Sequence, residues 1–342
     1  MKETNKWYHL TGEDGDVVVS TRVRLARNLA NFPFPDRLGP EERRQVCEMV
    51  RDALFIGGAG LKEEYDYLEP DRLNPVQVQS LVERHLISPE FAEGAQGRAL
   101  LLRKDESVSI MLCEEDHVRI QVMRAGFALK EAYELADRLD TLLDSQLHFA
   151  FDARLGYLTQ CPTNLGTGMR ASFMLHLPAL EATSGIQPLA KAVSKIGLTI
   201  RGTYGEGTKP KGALYQISNQ ITLGISEQNA LENLSSITRQ VMEKEHTLAG
   251  QLDHDRLEDS VYRAWGLLQN ARILGSEEFM ELISRVRLGV SMGMLKHPSI
   301  EALNALVVDM QPASLIQYHE AAADASQRDK LRARLVRECL SS

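Results

Sequence analysis

Four stretches of this 342-residue chain leave arginine on one side and apolar residues on the other. In 17–25, Val17, Val19, Thr21, Val23 and Leu25 alternate with Ser20, Arg22 and Arg24. In 108–122, Val118, Ile120 and Val122 alternate with His117, Arg119 and Gln121, just after Glu114-Glu115-Asp116. In 170–177, Ala171, Phe173, Leu175 and Leu177 oppose Arg170, Ser172, Met174 and His176, and in 196–201 Ile196, Leu198 and Ile200 oppose Arg201. Alternate side chains of a strand share a face. Guanidinium groups gathered on one sheet repel one another and need an anionic partner, and a polyphosphate fits them. At 4 Å two unit charges attract by roughly 4 kcal/mol at an effective dielectric of 20, so several arginines can hold a triphosphate without a glycine loop. The run from Gly202 to Lys209 is indeed no such loop: it fits neither GxxxxGK[ST] nor GxGxxG, because Pro210 stands where the last glycine belongs. It reads as a loop between two strands. The HRD and DFG elements of ordinary protein kinases are missing.

Each piece has a plainer reading. A single arginine on a strand face is usually a solvated charge. Glu114-Glu115-Asp116 alone is an exposed acidic turn, His85 or His176 alone a structural histidine, and Cys161 before Pro162 a core residue. His246, Asp253, His254 and Asp255 read as a solvated helical face rather than a metal site.

The elements that must position these residues follow from pattern. Segments 17–25, 98–124, 156–177 and 193–225 carry period-two alternation, whereas 227–342 reads as successive helices. Ser276 is placed to cap a helix that opens with Glu277 and Glu278 and closes with Arg285, Arg287 and Gly289. His297-Pro298-Ser299 starts another. A last one, from about Ser326, stripes Leu331, Leu335 and Cys339 with Val336 beside them. In the first half, Asn74-Pro75 starts a helix, and Leu129, Ala132, Tyr133, Ala136, Leu139 and Leu143 stripe a second. The expected fold class is α+β: an antiparallel-sheet domain over 17–248, then an all-α domain over 249–342.

Composition sets outer limits. With 43% hydrophobic and 25% charged residues the chain is an ordinary globular one, and its net charge of −8 disfavours nucleic-acid or membrane binding by the whole surface. No apolar run is long enough to span a bilayer, the N-terminus lacks the apolar core of a signal peptide, and the four cysteines form no CxxC pair. A cytoplasmic protein with reduced thiols is expected.

Taken together, SerThrArgValArg at 20–24, GluGluAspHisValArgIle at 114–120, CysProThrAsnLeuGlyThr at 161–167, ArgAlaSer at 170–172 and ArgGlyThrTyrGlyGlu at 201–206 resemble the catalytic domain of the phosphagen (ATP:guanido) kinases, over roughly 17–248. The helical domain after the motifs, and Arg328-Asp329-Lys330-Leu331-Arg332-Ala333 within it, resemble the bacterial protein arginine kinase branch of that family. Its RDxxRA motif binds phosphoarginine allosterically. By pattern alone the same segment is a salt-bridged helix face.

The resemblance implies an ATP site of Ser20, Thr21, Arg22, Val23, Arg24, His85, Arg119, Arg170, Ala171, Ser172, Phe173, Met174, Arg201, Gly202, Thr203, Tyr204, Gly205 and Glu206. It implies Glu115 and Glu206 as the carboxylates gripping the substrate guanidinium, and Cys161 as the reactive thiol beside it. Glu114 would touch Mg2+ through water. One departure is Cys113, where the family usually has Asn. Phosphagen kinases carry a helical domain ahead of the catalytic motifs, which here begin near residue 20. An open acceptor site that admits arginine on a protein surface is therefore expected. The implied partners are an McsA-like activator, a CtsR-like heat-shock repressor, the ClpC–ClpP protease and a second copy of the chain. Two competing readings stay open at this stage: a small-molecule guanidino kinase, and a non-catalytic phosphoarginine-reading adaptor.

Overall fold

The computed structural model describes residues 6–58, 60–94, 96–202, 211–319 and 324–341. Among these residues ten strands form, in chain order β1 (Val18–Arg27), β2 (Tyr65–Leu68), β3 (Ala99–Arg103), β4 (Val108–Leu112), β5 (Val118–Ala125), β6 (Phe151–Asp152), β7 (Gly156–Tyr157), β8 (Met169–His176), β9 (Leu198–Gly202) and β10 (Leu214–Asn219). All but β6 and β7 make one antiparallel sheet in the order β2-β3-β4-β5-β1-β8-β10-β9. The central strand β1 carries three valines and a threonine, which suit a pleated surface.

The helices of the first half are α1 (Pro40–Gly57), α2 (Leu61–Glu64), α3 (Pro75–Glu83), α4 (Pro89–Glu93), α5 (Leu129–Leu147), α6 (Pro178–Ala182), α7 (Ile186–Ser194) and α8 (Glu227–Ala249). Then follow α9 (His254–Asn270), α10 (Ser276–Ser291), α11 (Ile300–Asp309), α12 (Pro312–His319) and α13 (Ala325–Ser341). The chain is α+β, a sheet region followed by helices, as its patterning predicts.

One face of the sheet makes the main core. Val23, Leu25, Val118, Ile120, Val122, Ala171 and Phe173 meet the apolar stripe of α5 (Leu129, Ala132, Ala136, Leu139 and Leu143) there, together with residues of α1 and α8. Under it, Arg27 is 1% exposed. Its Nε and Nη2 donate to Asp140 Oδ2 at 3.1 and 2.9 Å, and its guanidinium lies 3.5 Å from the Tyr157 ring centre. That ion pair fastens the far end of β1 to α5.

The opposite face is covered at both ends and open between them. At the β3–β4 end, Leu100, Leu102 and Met111 pack with Leu81, Leu86, Ile87 and Phe91 of α3, α4 and their link. Toward β8 and β10, Val19, Met174 and Leu214 pack against the second core, built by α9–α13 around Phe279, Ile283, Val286, Leu303 and Leu315. The N-terminal 3-10 turn Trp7–His9 joins this cover, where Trp7 and Tyr8 pack with Met123 and Val308.

Four local expectations are corrected. Pairing of β1 with β8 shifts register between Val18 and Ser20, so Val17 and Val18 both enter the main core while Val19 turns to the open face. Ser276 is the first residue of α10 rather than its cap, which is Gly275. Gly289 does not end that helix, which runs on to Ser291. A Cβ at 289 would stand 2.3 Å from Val261 Cγ1, so the glycine allows α9 and α10 to approach. On α13 the buried residues are Arg332, Ala333, Val336 and Leu340, while Leu331, Leu335 and Cys339 lie only partly buried at the edge of the second core. By contrast, Asn74 caps α3 and Ser299 caps α11, as their positions before each helix predict.

Candidate active site

The open middle of the sheet carries the arginines. Register places Arg24 opposite Gln121 on β5 and opposite Arg170 on β8, with Arg22 opposite Ser172, Met174 opposite Gln216, and Gln216 opposite Arg201. Arg22, Arg24, Gln121, Arg170, Arg201 and Gln216 line one cleft of about 930 Å3, whose rim and floor also hold Arg119, His85, Ser88, Glu114, Glu115 and Gly202.

The cleft is strongly electropositive. Burial, and then the charges of Arg119 and Arg170, push Arg22 down to about 10. Burial lowers Arg24 still further from its ordinary value, with Arg22, Arg119 and Arg170 adding to the effect and Glu114 opposing it. Buried arginines that lower one another's proton affinity are the mark of a site completed by an anion. Arg24 Nε is buried without a hydrogen-bond partner among the described residues. Arg22 is held by its Nη2, which donates to Gln216 Oε1 at 2.5 Å.

His85 stands at the end of α3 with φ 59°, in the left-handed region. Gln121 Nε2 donates to its carbonyl at 2.8 Å, which fixes that turn against β5. Burial, helped by Arg22, pushes its imidazole down to about 4, so at neutral pH the ring is uncharged and can lie against a ligand surface.

The three acids after β4 have three different roles. Glu114 is buried, receives hydrogen bonds from Arg119 Nη1 and Ser88 Oγ, and is held below the usual carboxylate range. Burial alone would raise it, and the Arg119 charge together with the hydrogen bonds from Ser88, Arg119 and the Glu115 backbone outweighs that. Asp116 is a brace: its Oδ1 accepts from Asn28 Nδ2 at 2.6 Å and from Gln160 N at 2.8 Å. Asn28 Oδ1 in turn accepts from His117 N at 3.0 Å, so one asparagine ties the acidic turn to the segment before Cys161. Glu115 is left pointing to the cleft, half-buried, with Asn164 Nδ2 3.3 Å from its Oε2 and the Cys161 thiol beside it. Burial, then the Asp116 and Glu114 charges, raise Glu115 above the usual carboxylate range against the pull of Arg119. Cys161 Sγ also lies 3.0 Å from Thr163 Oγ1.

Cys113 has φ 58° and is buried, with Sγ 3.8 Å from Arg43 O. Asparagine tolerates the left-handed conformation better than most residues with a Cβ.

Not every expected residue reaches the cleft with its side chain. Ser20, Ser172 and Met174 line an adjoining cavity that shares Arg22, His85 and Gln216 with it. Val23, Ala171 and Phe173 are in the main core, and Thr21 Oγ1 donates to Gly126 O at 2.6 Å beneath the sheet. His117 is buried, its Nδ1 accepting from Leu29 N, and His176 bonds Ser284 of α10 at 2.8 Å. Both are structural; for His176 this is the expectation from sequence. Thr203, Tyr204, Gly205 and Glu206 lie outside the described residues. On α13, Arg332 faces inward rather than outward: it is 1% exposed and donates to Met310 O, Leu274 O and Asp329 Oδ1 at 3.0, 2.7 and 2.6 Å. Pattern reading missed Gln216, Asn28, Asn164, Arg43 and Arg98. The last two line the cleft while bonding to backbone carbonyls of Pro35, Glu90 and Phe91.

Among the described residues no group of three or more His, Cys, Asp or Glu could hold a metal. A divalent ion that arrives with a polyphosphate would be ligated mainly by the phosphates.

Arg119→Ala is expected to raise the Kd of a nucleoside triphosphate about tenfold to a hundredfold, read by calorimetry. The change removes one charge-assisted contact and unmasks Glu114 against the phosphates. Unchanged affinity would take Arg119 out of the site.

The family model described as ATP:guanido phosphotransferase, C-terminal catalytic domain, matches residues 45–248, and that of the protein-arginine kinase McsB C-terminal domain matches 254–342. A protein-arginine kinase of Brevibacillus brevis is 44% identical over 339 residues, 98% of this chain and 95% of its own length. One of Moorella thermoacetica is 44% identical, covering 100% of this chain and 99% of its own. Among solved structures, lombricine kinase superposes with a TM-score of 0.62 at 27% identity, over 72% of this chain and 71% of its own. The duplicated taurocyamine kinase from Schistosoma mansoni, with bound transition state analog components, gives 0.60 at 31% identity, over 68% and 33%.

Proposed function

Because the chain belongs to the ATP:guanido phosphotransferase family and to its protein-arginine kinase branch, we propose that the arginine cleft binds the triphosphate of ATP and that Glu115 prepares a protein arginine for attack on it. The enzyme is a protein arginine kinase that uses ATP. The observation that carries the site assignment is the crowding of Arg22, Arg24, Arg119 and Arg170 on one face, with an unneutralised carboxylate, Glu115, at its edge.

The chemistry follows from these positions. A guanidinium holds its proton tightly and is a poor nucleophile. Glu115 aligns the planar fork and accepts the proton as the N–P bond forms. Glu206 is assigned as the second clamp, and Cys161, beside Glu115, as the thiol next to the guanidinium. The fixed positive charges of Arg22, Arg24, Arg119, Arg170 and Arg201 meet the charge that spreads over the transferring phosphoryl oxygens. Mg2+ enters as the complex with ATP, and Glu114 is its outer contact.

Residues 17–248 are read as the catalytic domain and 249–342 as a helical domain whose Arg328–Ala333 segment binds phosphoarginine. Tyr262, Leu267 and Ile273 leave apolar surface exposed on and after α9, which supports a homodimer through that domain. No helix among the described residues is long and apolar enough to cross a membrane, in keeping with a cytoplasmic enzyme. Activation by an McsA-like protein, inactivation of a CtsR-like repressor and marking of proteins for ClpC–ClpP are the cellular roles this reading carries.

The test is phosphate transfer from labelled Mg-ATP to an arginine-rich unfolded protein, with free arginine in parallel. Acid-labile label on the protein and little on free arginine is the expected result. The reverse would make the enzyme a small-molecule guanidino kinase. No label in either tube, with or without an activator, would leave the adaptor reading.

A further inference from the structure

The arginine cleft continues past Arg170 and Arg201 into a second groove of about 400 Å3. Two further segments wall it: residues 162–164, directly after Cys161, and residues 219–223, where β10 passes into its link to α8. Thr222 locks them together. Its Oγ1 stands 3.0 Å from Thr163 O and 2.8 Å from Leu165 O, and its carbonyl accepts from Thr167 N at 3.0 Å. Thr222 is buried, while its two neighbours face outward: Ile221 is 49% exposed and Leu223 is 48% exposed. Asn164 belongs to the same groove, and its Nδ2 is 3.3 Å from Glu115 Oε2. The groove thus leads from the carboxylate at the edge of the cleft to two exposed aliphatic side chains.

Two exposed aliphatic residues alone would be ordinary. These are continued on both sides. Ile221 lies on Gly197, where a Cβ would stand 2.5 Å from Ile221 Cδ1, and the residue before that glycine, Ile196, is also exposed. Leu223 lies against Gly166, where a Cβ would come 2.8 Å from the Leu223 Cα. Gly166 in turn pairs with Tyr157 of the β6–β7 hairpin, and exposed Phe151 of that hairpin packs edge-on to Tyr157 at 5.2 Å. Contiguous apolar surface beside a site marks where a bound molecule continues. An arginine within a protein brings chain on both sides of its guanidinium, and that chain must lie over the residues next to the carboxylate. Resting on the reading of Glu115 as the group that receives the guanidinium, we propose that Ile221 and Leu223 form a shelf for an apolar side chain of the substrate, within a few residues of the acceptor arginine. The occupant is an extended substrate segment carrying Leu, Ile or Phe there. The enzyme then chooses among arginines by their neighbours.

Phosphate transfer from Mg-ATP to two short peptides tests this, one with leucines and one with serines around a single arginine. Wild type should use the leucine peptide with a kcat/KM about tenfold higher. The difference should lie in KM, because the shelf touches no reacting atom and holds ground state and transition state alike. Combining Ile221→Ser with Leu223→Ser should bring the leucine peptide down to the serine one, with kcat and the Kd of ATP within about twofold of wild type. Leu223→Glu should shift preference toward a peptide with lysines around its arginine, a gain that a damaged fold does not produce. Equal use of the leucine and serine peptides by wild type, or an undiminished preference in the double variant, would overturn the shelf. Glu115 would keep its role in that case, provided Glu115→Gln still abolishes transfer. An equal rise in KM for both peptides in the double variant would also overturn the shelf, since the two residues would then act only through the fold. Loss of a wild-type dimer in sedimentation, with the peptide preference kept, would make the surface a contact between copies instead. No transfer to either peptide by wild type, with or without an activator, would sink the acceptor reading and the shelf with it.

Discussion

Glu115→Gln is expected to lower kcat about a thousandfold while ATP affinity stays within about twofold of wild type. The change keeps the shape of the side chain and its reach to Asn164, 3.3 Å from Oε2. It removes the negative charge that aligns a guanidinium and the basic site that takes its proton, and general-base catalysis of this kind contributes about a hundred- to ten-thousandfold. ATP binding is expected to be spared, because the phosphate contacts proposed above are made by the arginines. The pH profile gives a second readout. Burial and the Asp116 and Glu114 charges raise Glu115, and only its ionised form can accept a proton. Activity therefore falls as pH drops through that raised value, and the acidic limb of kcat/KM, which reports the free enzyme, lies above the ordinary carboxylate pKa. Asp116→Asn removes one neighbouring negative charge, keeps an acceptor for Asn28 and Gln160, and should move the limb to lower pH. A kcat within tenfold of wild type in Glu115→Gln would remove Glu115 from proton transfer. An acidic limb unmoved by Asp116→Asn would mean that another group sets it.

The arginine face was legible because period-two alternation reports which side of a strand a residue occupies. Arg22, Arg24, Arg119 and Arg170 come together for that reason alone. Alternation does not report depth or what lies above a face. Both ends of this face are roofed, by α3 and α4 at one end and by the helical region at the other, so His176 shares a side with Arg170 and yet ends against Ser284. Val19 was misplaced because a one-residue register shift reverses facing, and no composition signal marks it. Asn28 and Asp116 carry no periodic signature either: their bonds cross 88 residues of sequence and exist only once β1 and the acidic turn are side by side. Gly289 shows the same limit on a helix, since a glycine near a helix end signals termination locally while its packing against Val261 is a tertiary fact.

Arg332→Ala is expected to destabilise the protein by about 3 kcal/mol or more, whereas Arg328→Ala should shift stability by less than about 1 kcal/mol and abolish phosphoarginine binding. Both residues belong to the same motif and stand four apart on α13, yet their surroundings differ. The Arg332 guanidinium is fully buried and serves the carbonyls of Met310 and Leu274 together with Asp329. Truncation leaves these acceptors buried without a donor, at about 1–3 kcal/mol for each neutral group, and opens a cavity as well. Arg328 is only partly buried. Urea unfolding of each single variant, with a phosphoarginine titration of each, separates the two roles, which a double variant would merge. A wild-type unfolding midpoint for Arg332→Ala, or an equal loss in both variants, would overturn this division. The consequence reaches the cleft because Met310 closes α11 and the next helix, α12, begins on Glu83. The Glu83 carboxylate accepts from Ala313 N at 2.8 Å and Ser314 N at 3.1 Å, and lies at the end of α3, two residues from His85. Arg332 and the Glu83–His85 turn thus hold opposite sides of the α11–α12 corner. Linkage requires any effect between them to be reciprocal. Whatever factor phosphoarginine applies to the ATP Kd, ATP must apply to the phosphoarginine Kd, and Arg332→Ala should reduce both to one by loosening the corner.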